Sequence, residues 1–256
     1  DLSEAEEHYN TGLALHNQGR VEEAIGEYDD AIRLEPNFAV AYSNRGVAYN
    51  DLGRYQRAIQ DFDEAIRLDP RLAKPYRNRG LAYDELGHPQ QAFEDYNAAI
   101  EADPRYVLAY NSRGNAYEKV GRHQRALEDF NEAIRLAPEF ALAYSNRGLA
   151  YASLGQPERA IEDFNEAIRL DPELDLAYNN RGWEYMKQGR AEQAIQDLDE
   201  AIQLNPRFVK AYENRAMAYI LLGKDASAQQ DVDRAAELGA DRTVLEREME
   251  RLKQQR

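Results

Sequence analysis

The sequence predicts an all-α fold in which short helices pair and the pairs stack in a row. Residues 5–242 divide into seven consecutive blocks of 34 residues with no insertion between them. A period of about 20 to 50 residues is typical of stacked arrays rather than of a domain with one closed core. Within each block, small and apolar residues recur at helical spacing in two segments that a glycine separates.

The first helix of each block precedes that glycine. Copy two, residues 39–72, reads AVAYSNRGVAYNDLGRYQRAIQDFDEAIRLDPRL. With Ala39 as position 1, Tyr occupies position 4 in copies two to seven and Gly occupies position 8 in copies one to six. Positions 4, 8 and 11 share one face at about 3.6 residues per turn. Glycine at position 15 of all seven copies predicts the end of this helix.

The second helix lies between the position-15 glycine and a proline. Alanine fills positions 20 and 27 in every copy, and positions 20, 24, 27 and 28 share one face. Small residues at 8, 20 and 27 let the two helices approach closely, and large residues at 4, 11 and 24 fill the spaces beside them. Proline at position 32 of copies one to six predicts the end of the second helix.

The last copy and the residues after it differ from the rest. Copy seven lacks the proline, and residues 243–256 predict an amphipathic helix that caps the array with Leu245, Met249 and Leu252. The chain starts at Asp1 without a methionine, which suggests a processed chain or an excised piece with an uncapped first repeat. The predicted organisation is residues 1–242 for the repeats (5–38, 39–72, 73–106, 107–140, 141–174, 175–208 and 209–242) and residues 243–256 for the capping helix.

This pattern resembles the tetratricopeptide repeat family over residues 5–242. Tyr stands where the family usually has Trp or another aromatic at position 4, and Arg replaces its Leu at position 7 in six copies. The resemblance implies a right-handed superhelical α-solenoid of antiparallel helix pairs. It further implies that the first helices line a concave groove and the second helices form the convex back. It implies nothing about a reaction, because one fold hosts many functions.

Composition and charge disfavour several classes of partner. The chain has 32 Lys and Arg against 47 Asp and Glu, a net charge of −15, so attraction to nucleic acid or anionic lipid is not expected. Without cysteine it has no disulfide, thiolate metal site or cysteine nucleophile. No apolar run approaches the ~20 residues that span a bilayer, so membrane insertion is not expected. We expect a cytoplasmic location.

No catalytic, metal or cofactor site is predicted. His88 and His123 fall in turns, and His8 and His16 are not spaced as a metal pair. Paired acids recur on most second helices, which favours a solvated face over a catalytic dyad in an asymmetric environment.

A pair of charges recurs in register. The pairs join position 7 to position 23 in copies two to seven, and copy one has Thr11 and Glu27 instead. Arginine at position 7 and aspartate at position 23 are both present in copies two to seven and both absent from copy one. We therefore expect a partly buried contact between guanidinium and carboxylate within each of these repeats. The less favoured alternative is an arginine ladder that binds phosphates. The arginines are Arg45, Arg79, Arg113, Arg147, Arg181 and Arg215, and the acids are Asp61, Asp95, Asp129, Asp163, Asp197 and Asp231.

Asparagine recurs at position 6, away from the stripe formed by positions 4, 8 and 11. An amide that faces the groove has the donors and acceptor to hold a peptide backbone. Alternatively, these amides bond the next helix and stiffen the stack; the sequence leaves both open. The residues are Asn10, Asn44, Asn78, Asn146, Asn180 and Asn214, with Ser112 in copy four. By position they are similar to the asparagine ladder of the O-GlcNAc transferase groove.

The carboxylate clamp of heat-shock co-chaperones is a poorer match, because Lys74, Arg77 and Lys210 are isolated cations. The remaining groove positions predict a more apolar C-terminal half. Trp183, the only tryptophan, is expected to lie partly exposed on the groove wall, with packing on a neighbouring helix as the alternative. With the six asparagines, the predicted peptide-binding residues are Asn111, Asn115, Leu149, Trp183, Met217, Lys74 and Arg77.

The sequence therefore predicts a non-catalytic scaffold or adaptor that binds a peptide segment or a partner helix in its groove. Two alternatives remain. In the first, the array would be a substrate-recruiting, non-catalytic arm of a larger enzyme. In the second, it would assemble with other copies through its uncapped first repeat.

Overall fold

The computed structural model describes residues 2–254, and within that range it contains fifteen α-helices and no strands. The prediction of an all-α fold is confirmed. The helices are α1 Leu2–Asn17, α2 Val21–Leu34, α3 Ala39–Asp51, α4 Tyr55–Leu68, α5 Ala73–Glu85, α6 Pro89–Ala102, α7 Val107–Lys119, α8 His123–Leu136, α9 Ala141–Ser153, α10 Pro157–Leu170, α11 Asp175–Lys187, α12 Ala191–Leu204, α13 Val209–Leu221, α14 Asp225–Glu237 and α15 Arg242–Gln254.

Glycine and proline set the helix ends where the sequence places them. All seven position-15 glycines have a positive φ, from 68° at Gly53 to 76° at Gly19. That is the left-handed region, which glycine enters without steric cost. Second helices α2, α4, α6, α8, α10 and α12 each end two residues before the position-32 proline, as α2 does at Leu34 before Pro36. Each block therefore contains two helices, and within the two units α1 packs with α2, α3 with α4, α5 with α6, α9 with α10, α11 with α12 and α13 with α14.

The two helices of a pair meet through the predicted small positions. The alanines at positions 20 and 27 are fully buried in all seven copies. At position 8, a Cβ built on Gly46 would lie 2.6 Å from Cε1 of Phe62 at position 24, and one on Gly148 would lie 2.6 Å from Cε1 of Phe164. Only glycine lets the two backbones come this close with an aromatic ring between them.

The position-4 tyrosines depart from the predicted core. Only Tyr212 is buried, and the equivalent tyrosines of copies two to six are half-buried. They lie instead beside the arginine at position 7, with Cζ of Arg45 5.4 Å from the ring centroid of Tyr42. The position-24 side chains, all fully buried, form the centre of each pair.

The helices group into two compact units, one from Asp1 to Arg122 and one from His123 to Arg256. The first contains α1 to α7, and the second contains α8 to α15. Helix α15 closes the apolar core of the last helix pair: Leu245 and Met249 are buried in a cluster with Tyr212 and Val232. Leu252, one turn further on, packs against this cluster and against a second one that includes Met217.

Candidate functional site

Each described arginine bridge at position 7 joins three helices. In the second unit, Nε and Nη2 of Arg147 donate to Asp163 at 2.8 and 2.7 Å, and Nη1 donates to Asn131 at 2.8 Å. Asp163 lies on the second helix of the same repeat and Asn131 on that of the preceding repeat. The pairing predicted between positions 7 and 23 is confirmed here and for Arg45, Arg79, Arg181 and Arg215.

The second acceptor was missed by the sequence prediction, although the sequence contains a signal for it. Position 25 is always an acid or an amide, and each bridge reaches this residue in the preceding repeat. In the last repeat the position-25 residue is Asp233, and there Arg242 of α15 donates to its carboxylate. The position-25 residues are Asp29, Asp63, Asn97, Asn131, Asn165, Asp199 and Asp233.

These bridges make the arginines structural rather than available to a phosphate ligand. The hydrogen bonds with Asp163 raise the pKa of Arg147, so its positive charge is kept and balanced inside the protein. At Arg45, burial opposes the charge, but the hydrogen bonds and attraction of Asp61 and Asp29 outweigh it and raise the pKa. The side chain of Arg45 is only 18% exposed. A phosphate would have to displace two acceptors from such a group.

The first repeat replaces the bridge with histidines. Nδ1 of His8 lies 2.6 Å from Oε2 of Glu27 on α2, and Nε2 of His16 lies 2.6 Å from Oδ2 of Asp51 on α3. The hydrogen bond with Glu27 raises the pKa of His8, against a smaller lowering by burial. The contact of α1 with α2 therefore includes a histidine whose charge depends on pH.

The position-6 side chains bond to the preceding first helix in three places. Nδ2 of Asn44 donates to the Tyr9 hydroxyl at 2.9 Å, and Nδ2 of Asn214 donates to Oδ1 of Asn179 at 2.9 Å. Nε of Arg77 donates to Oγ of Ser112 at 2.9 Å. Each bond joins position 5 of one repeat to position 6 of the next, which agrees with the alternative that these groups stiffen the stack.

The predicted site residues differ in how open they are. Asn111 and Asn214 are 5% and 2% exposed, so neither lines an open groove. Asn214 is bonded to Asn179 of the neighbouring first helix α11. Met217 is also largely buried. Asn44, Asn78, Arg77, Asn115, Asn146, Asn180 and Trp183 are half-buried, and Asn10, Lys74 and Leu149 are exposed.

A cavity of about 590 Å³ in the first unit is lined by two of the predicted peptide-binding residues, Asn44 and Lys74. First helices α1, α3 and α5 form most of its wall, with Tyr106 from the turn before α7. Tyr106 stands at position 34, which is a large apolar or aromatic residue in copies one to six, a signal that the sequence prediction did not use. The lining is Tyr9, Leu13, Val40, Ser43, Asn44, Arg71, Leu72, Ala73, Lys74, Pro75, Asp103 and Tyr106.

The charged residues that line this first-unit cavity are two cations and one acid. They are Lys74, Arg71 and Asp103, and Arg77 lies one turn beyond Lys74 on α5. The hydrogen bonds of Arg77 go to the neutral acceptors Ser112 and Asn78. Because the rest of the wall is mainly apolar, the cavity can take apolar side chains of an extended chain beside a polar or acidic group.

A smaller cavity of about 310 Å³ lies in the second unit and contains Trp183 and Met217. Its walls are α11, α13 and α15. Trp183 is half-buried: it packs against the cluster that includes Met217 and also lines this cavity, and its part in binding a peptide stays a prediction. The lining is Trp183, Met186, Lys187, Lys210, Met217, Leu221, Glu248, Arg251 and Leu252.

The described residues offer little for other chemistry. Among residues 2–254, no group of three or more His, Asp or Glu side chains is placed to hold a metal ion. No helix in that part of the chain combines the length and apolar character needed to cross a membrane.

Known repeat families match most of the chain. A tetratricopeptide repeat model matches residues 39–72, 107–140, 141–174 and 176–208, and a second matches residues 73–106. A TPR repeat model matches residues 12–53. No curated protein matches the chain.

Solved structures of repeat proteins are similar in fold. A tetratricopeptide repeat protein from Parabacteroides merdae aligns over 98% of this chain and 99% of its own, at 21% identity and a TM-score of 0.75. A thermophilic TPR protein from Thermus thermophilus, TTC0263, covers 71% of this chain and 99% of its own, at 23% identity and a TM-score of 0.63. YrrB, described as a TPR protein with an unusual peptide-binding site, covers 72% and 95%, at 24% identity and a TM-score of 0.53.

Proposed function

The chain belongs to the tetratricopeptide repeat family, and on that premise we propose that it is a non-catalytic scaffold or adaptor that binds a peptide segment of a partner protein on its first helices. The family typically mediates protein–protein interactions. The observation that supports peptide binding most directly is the first-unit cavity, which first helices of three successive repeats build together.

The dimensions of that cavity suit an extended chain. Successive first helices lie about 8–10 Å apart, and an extended peptide advances about 3.3 Å per residue. In a strand that crosses α1, α3 and α5, the residues that face successive helices would therefore be about three positions apart. Leu13 and Val40 supply apolar contacts, while Asn44 and Lys74 supply polar ones.

The part of Asn44 in this site is limited by its own hydrogen bond. One N–H of its Nδ2 donates to the Tyr9 hydroxyl, which leaves the second N–H to donate and Oδ1 to accept from the backbone of a ligand. The same residue thus stiffens the stack and offers one donor and one acceptor. Asn214, which is 2% exposed, serves the stack alone in this proposal.

The proposal is tested by panning a display library of random peptides on the full chain and measuring the affinity of recovered peptides. Val40→Glu places a charge in the apolar wall and is expected to weaken them at least about tenfold. Leu176→Glu is the matched control, because Leu176 holds the same repeat position and is 42% exposed but lines neither cavity. The proposal would be contradicted if Val40→Glu weakened none of the recovered peptides more than Leu176→Glu does, or if the library yielded no binder.

A further inference from the structure

We propose that the cavity between α11, α13 and α15 is a separate binding site for a peptide segment in which a large apolar side chain stands next to a carboxylate. This site does not depend on the first-unit cavity, because all of its residues belong to the second unit. At about 310 Å³, it is at the lower end of the range for small-ligand pockets, about 300–1,000 Å³.

The apolar part of the cavity is shaped for one large side chain. Trp183 lines it with part of its indole accessible, while Met186 and Met217 are each 9% exposed and form a packed base. Leu221, 38% exposed, stands at the rim. Methionine and tryptophan adapt to an inserted side chain and contribute large contact area.

The rim presents more positive than negative charge to a ligand. Lys187, Lys210 and Arg251 line the cavity against the single acid Glu248. The acids that pair with the two lysines lie behind them. Glu184 is 2% exposed and Glu213 is 17% exposed, while their lysines are 43% and 58% exposed. The acids equal the cations in number here, but the lysines are the more exposed partners of their pairs, so the charges that a ligand meets first are mainly positive and favour an acidic group on it.

Two neighbouring residues of α11 depart from the repeat pattern at this place. Position 9 is Trp only at Trp183, and position 10 is Ala in the other six copies but Glu at Glu184. Oε1 of Glu184 holds Nζ of Lys187 at 2.5 Å, and its buried Oε2 has no hydrogen-bond partner. A buried carboxylate in place of alanine costs stability. Its structural result is to fix the Lys187 ammonium at the rim beside the indole.

Helix α15 is part of the site as well as the end of the stack. Arg251 and Leu252 of α15 line the cavity opposite Trp183 of α11. Arg251 is exposed, so its guanidinium can reach a carboxylate at the cavity mouth. A ligand bound here would contact both the last repeats and α15, and would therefore hold α15 in place.

The experiment uses the full chain and a display library of random peptides, with the fluorescence of the only tryptophan as the readout. Peptides that shift the emission of Trp183 are expected to share a large apolar residue beside Asp or Glu. Arg251→Glu is expected to weaken them at least about tenfold. Arg247→Glu is the matched control, one turn earlier on α15 with the same change of charge and outside the cavity. Thermal unfolding checks that both variants keep the fold.

A set of recovered peptides in which none shifts Trp183 emission would overturn the site. Peptides that shift the emission but carry no acid, or that bind Arg251→Glu as tightly as the unmodified chain, would overturn the charge assignment. Val40→Glu separates the two proposals, because it should weaken peptides of the first-unit cavity and leave the Trp183 response unchanged.

Discussion

At the scale of single residues, positions 8 and 24 of each repeat vary together. Glycine at position 8 faces an aromatic ring in copies one, two, three and five and Leu198 in copy six, whereas copy seven has Ala216 and the smaller Val232 in one buried cluster. The distance of 2.6 Å between a Cβ on Gly148 and Cε1 of Phe164 explains this pairing, since a methyl group has no room there unless the ring is removed.

Gly148→Ala is accordingly expected to lower the free energy of unfolding by about 1–3 kcal/mol through overpacking. Gly148→Ala together with Phe164→Val, the pair that copy seven uses, should lose at least about 1 kcal/mol less than the sum of the single changes. Gly26→Ala is the control. Nothing lies within 4 Å of its Cβ position, and alanine should add up to about 1 kcal/mol to helix α2. Chemical denaturation measures all four variants, and additive losses would reject the close-contact explanation.

The bridge of Arg147 makes a second prediction at this scale. Arg147→Leu or Asp163→Leu alone is expected to cost about 2–4 kcal/mol, because each leaves a largely buried charge without its partner. The double substitution should cost much less than the sum. The exposed pair of Arg169 with Glu166 is the control, where removal should change stability by less than about 1 kcal/mol. A double-mutant cycle without coupling at Arg147 would contradict the pairing.

At the scale of helices and their ends, local signals made the fold predictable. The position-15 glycines and position-32 prolines act on their own backbone, so they mark boundaries without knowledge of the rest of the chain. The pairing of Arg147 with Asp163 was also predictable, because both belong to one repeat. Asn131 was missed because it belongs to the preceding repeat, 16 residues away in the opposite direction.

The candidate sites were predictable only in part for the same reason. Asn44, Lys74 and Trp183 belong to first helices and could be placed by repeat position. The contribution of α15 could not, because residues 243–256 are outside the repeat and the packing of Leu252 toward Met217 depends on the angle of that helix. The burial of Asn214 likewise depends on how closely α13 approaches α11.

Helix α1 carries the prediction for pH. The raised pKa of His8 means that its contact with Glu27 contributes fully below the reference value of 6.5 and is lost as pH rises through the folded-state pKa above it. His8→Gln removes this contribution. The difference in Tm between the unmodified chain and His8→Gln is therefore expected to shrink from about pH 6 to about pH 8.

The difference, rather than Tm itself, isolates His8, because the contact of His16 with Asp51 is present in both chains. Asp30 and Glu4 also raise the pKa of His8 and are left in place. Thermal unfolding followed by circular dichroism across this pH range gives the measurement. A difference that stays constant or grows with pH would contradict the assigned contact.

At the scale of the whole molecule, the charge distribution and the ends of the bridge series bear on self-association. Extending the series to another copy would need a free acceptor at position 25 of the last repeat and an arginine at position 7 of the first. Asp233 already binds Arg242, and the first repeat has Thr11. The large apolar side chains exposed in the described residues all lie outside residues 5–38.

We therefore expect the chain to be a monomer in solution. A net charge of −15 repels a second copy, and the first repeat presents neither an arginine at position 7 nor a large apolar patch for docking. Light scattering should give a mass of 29.3 kDa that does not change with protein concentration. Added salt at about 0.1 M screens the repulsion between charges more than about 10 Å apart. A mass that stays constant in salt therefore shows that no docking surface was masked by charge. A mass that rises with concentration would instead support assembly between copies, and Leu149→Glu would then test whether the exposed apolar residues of the second unit carry it.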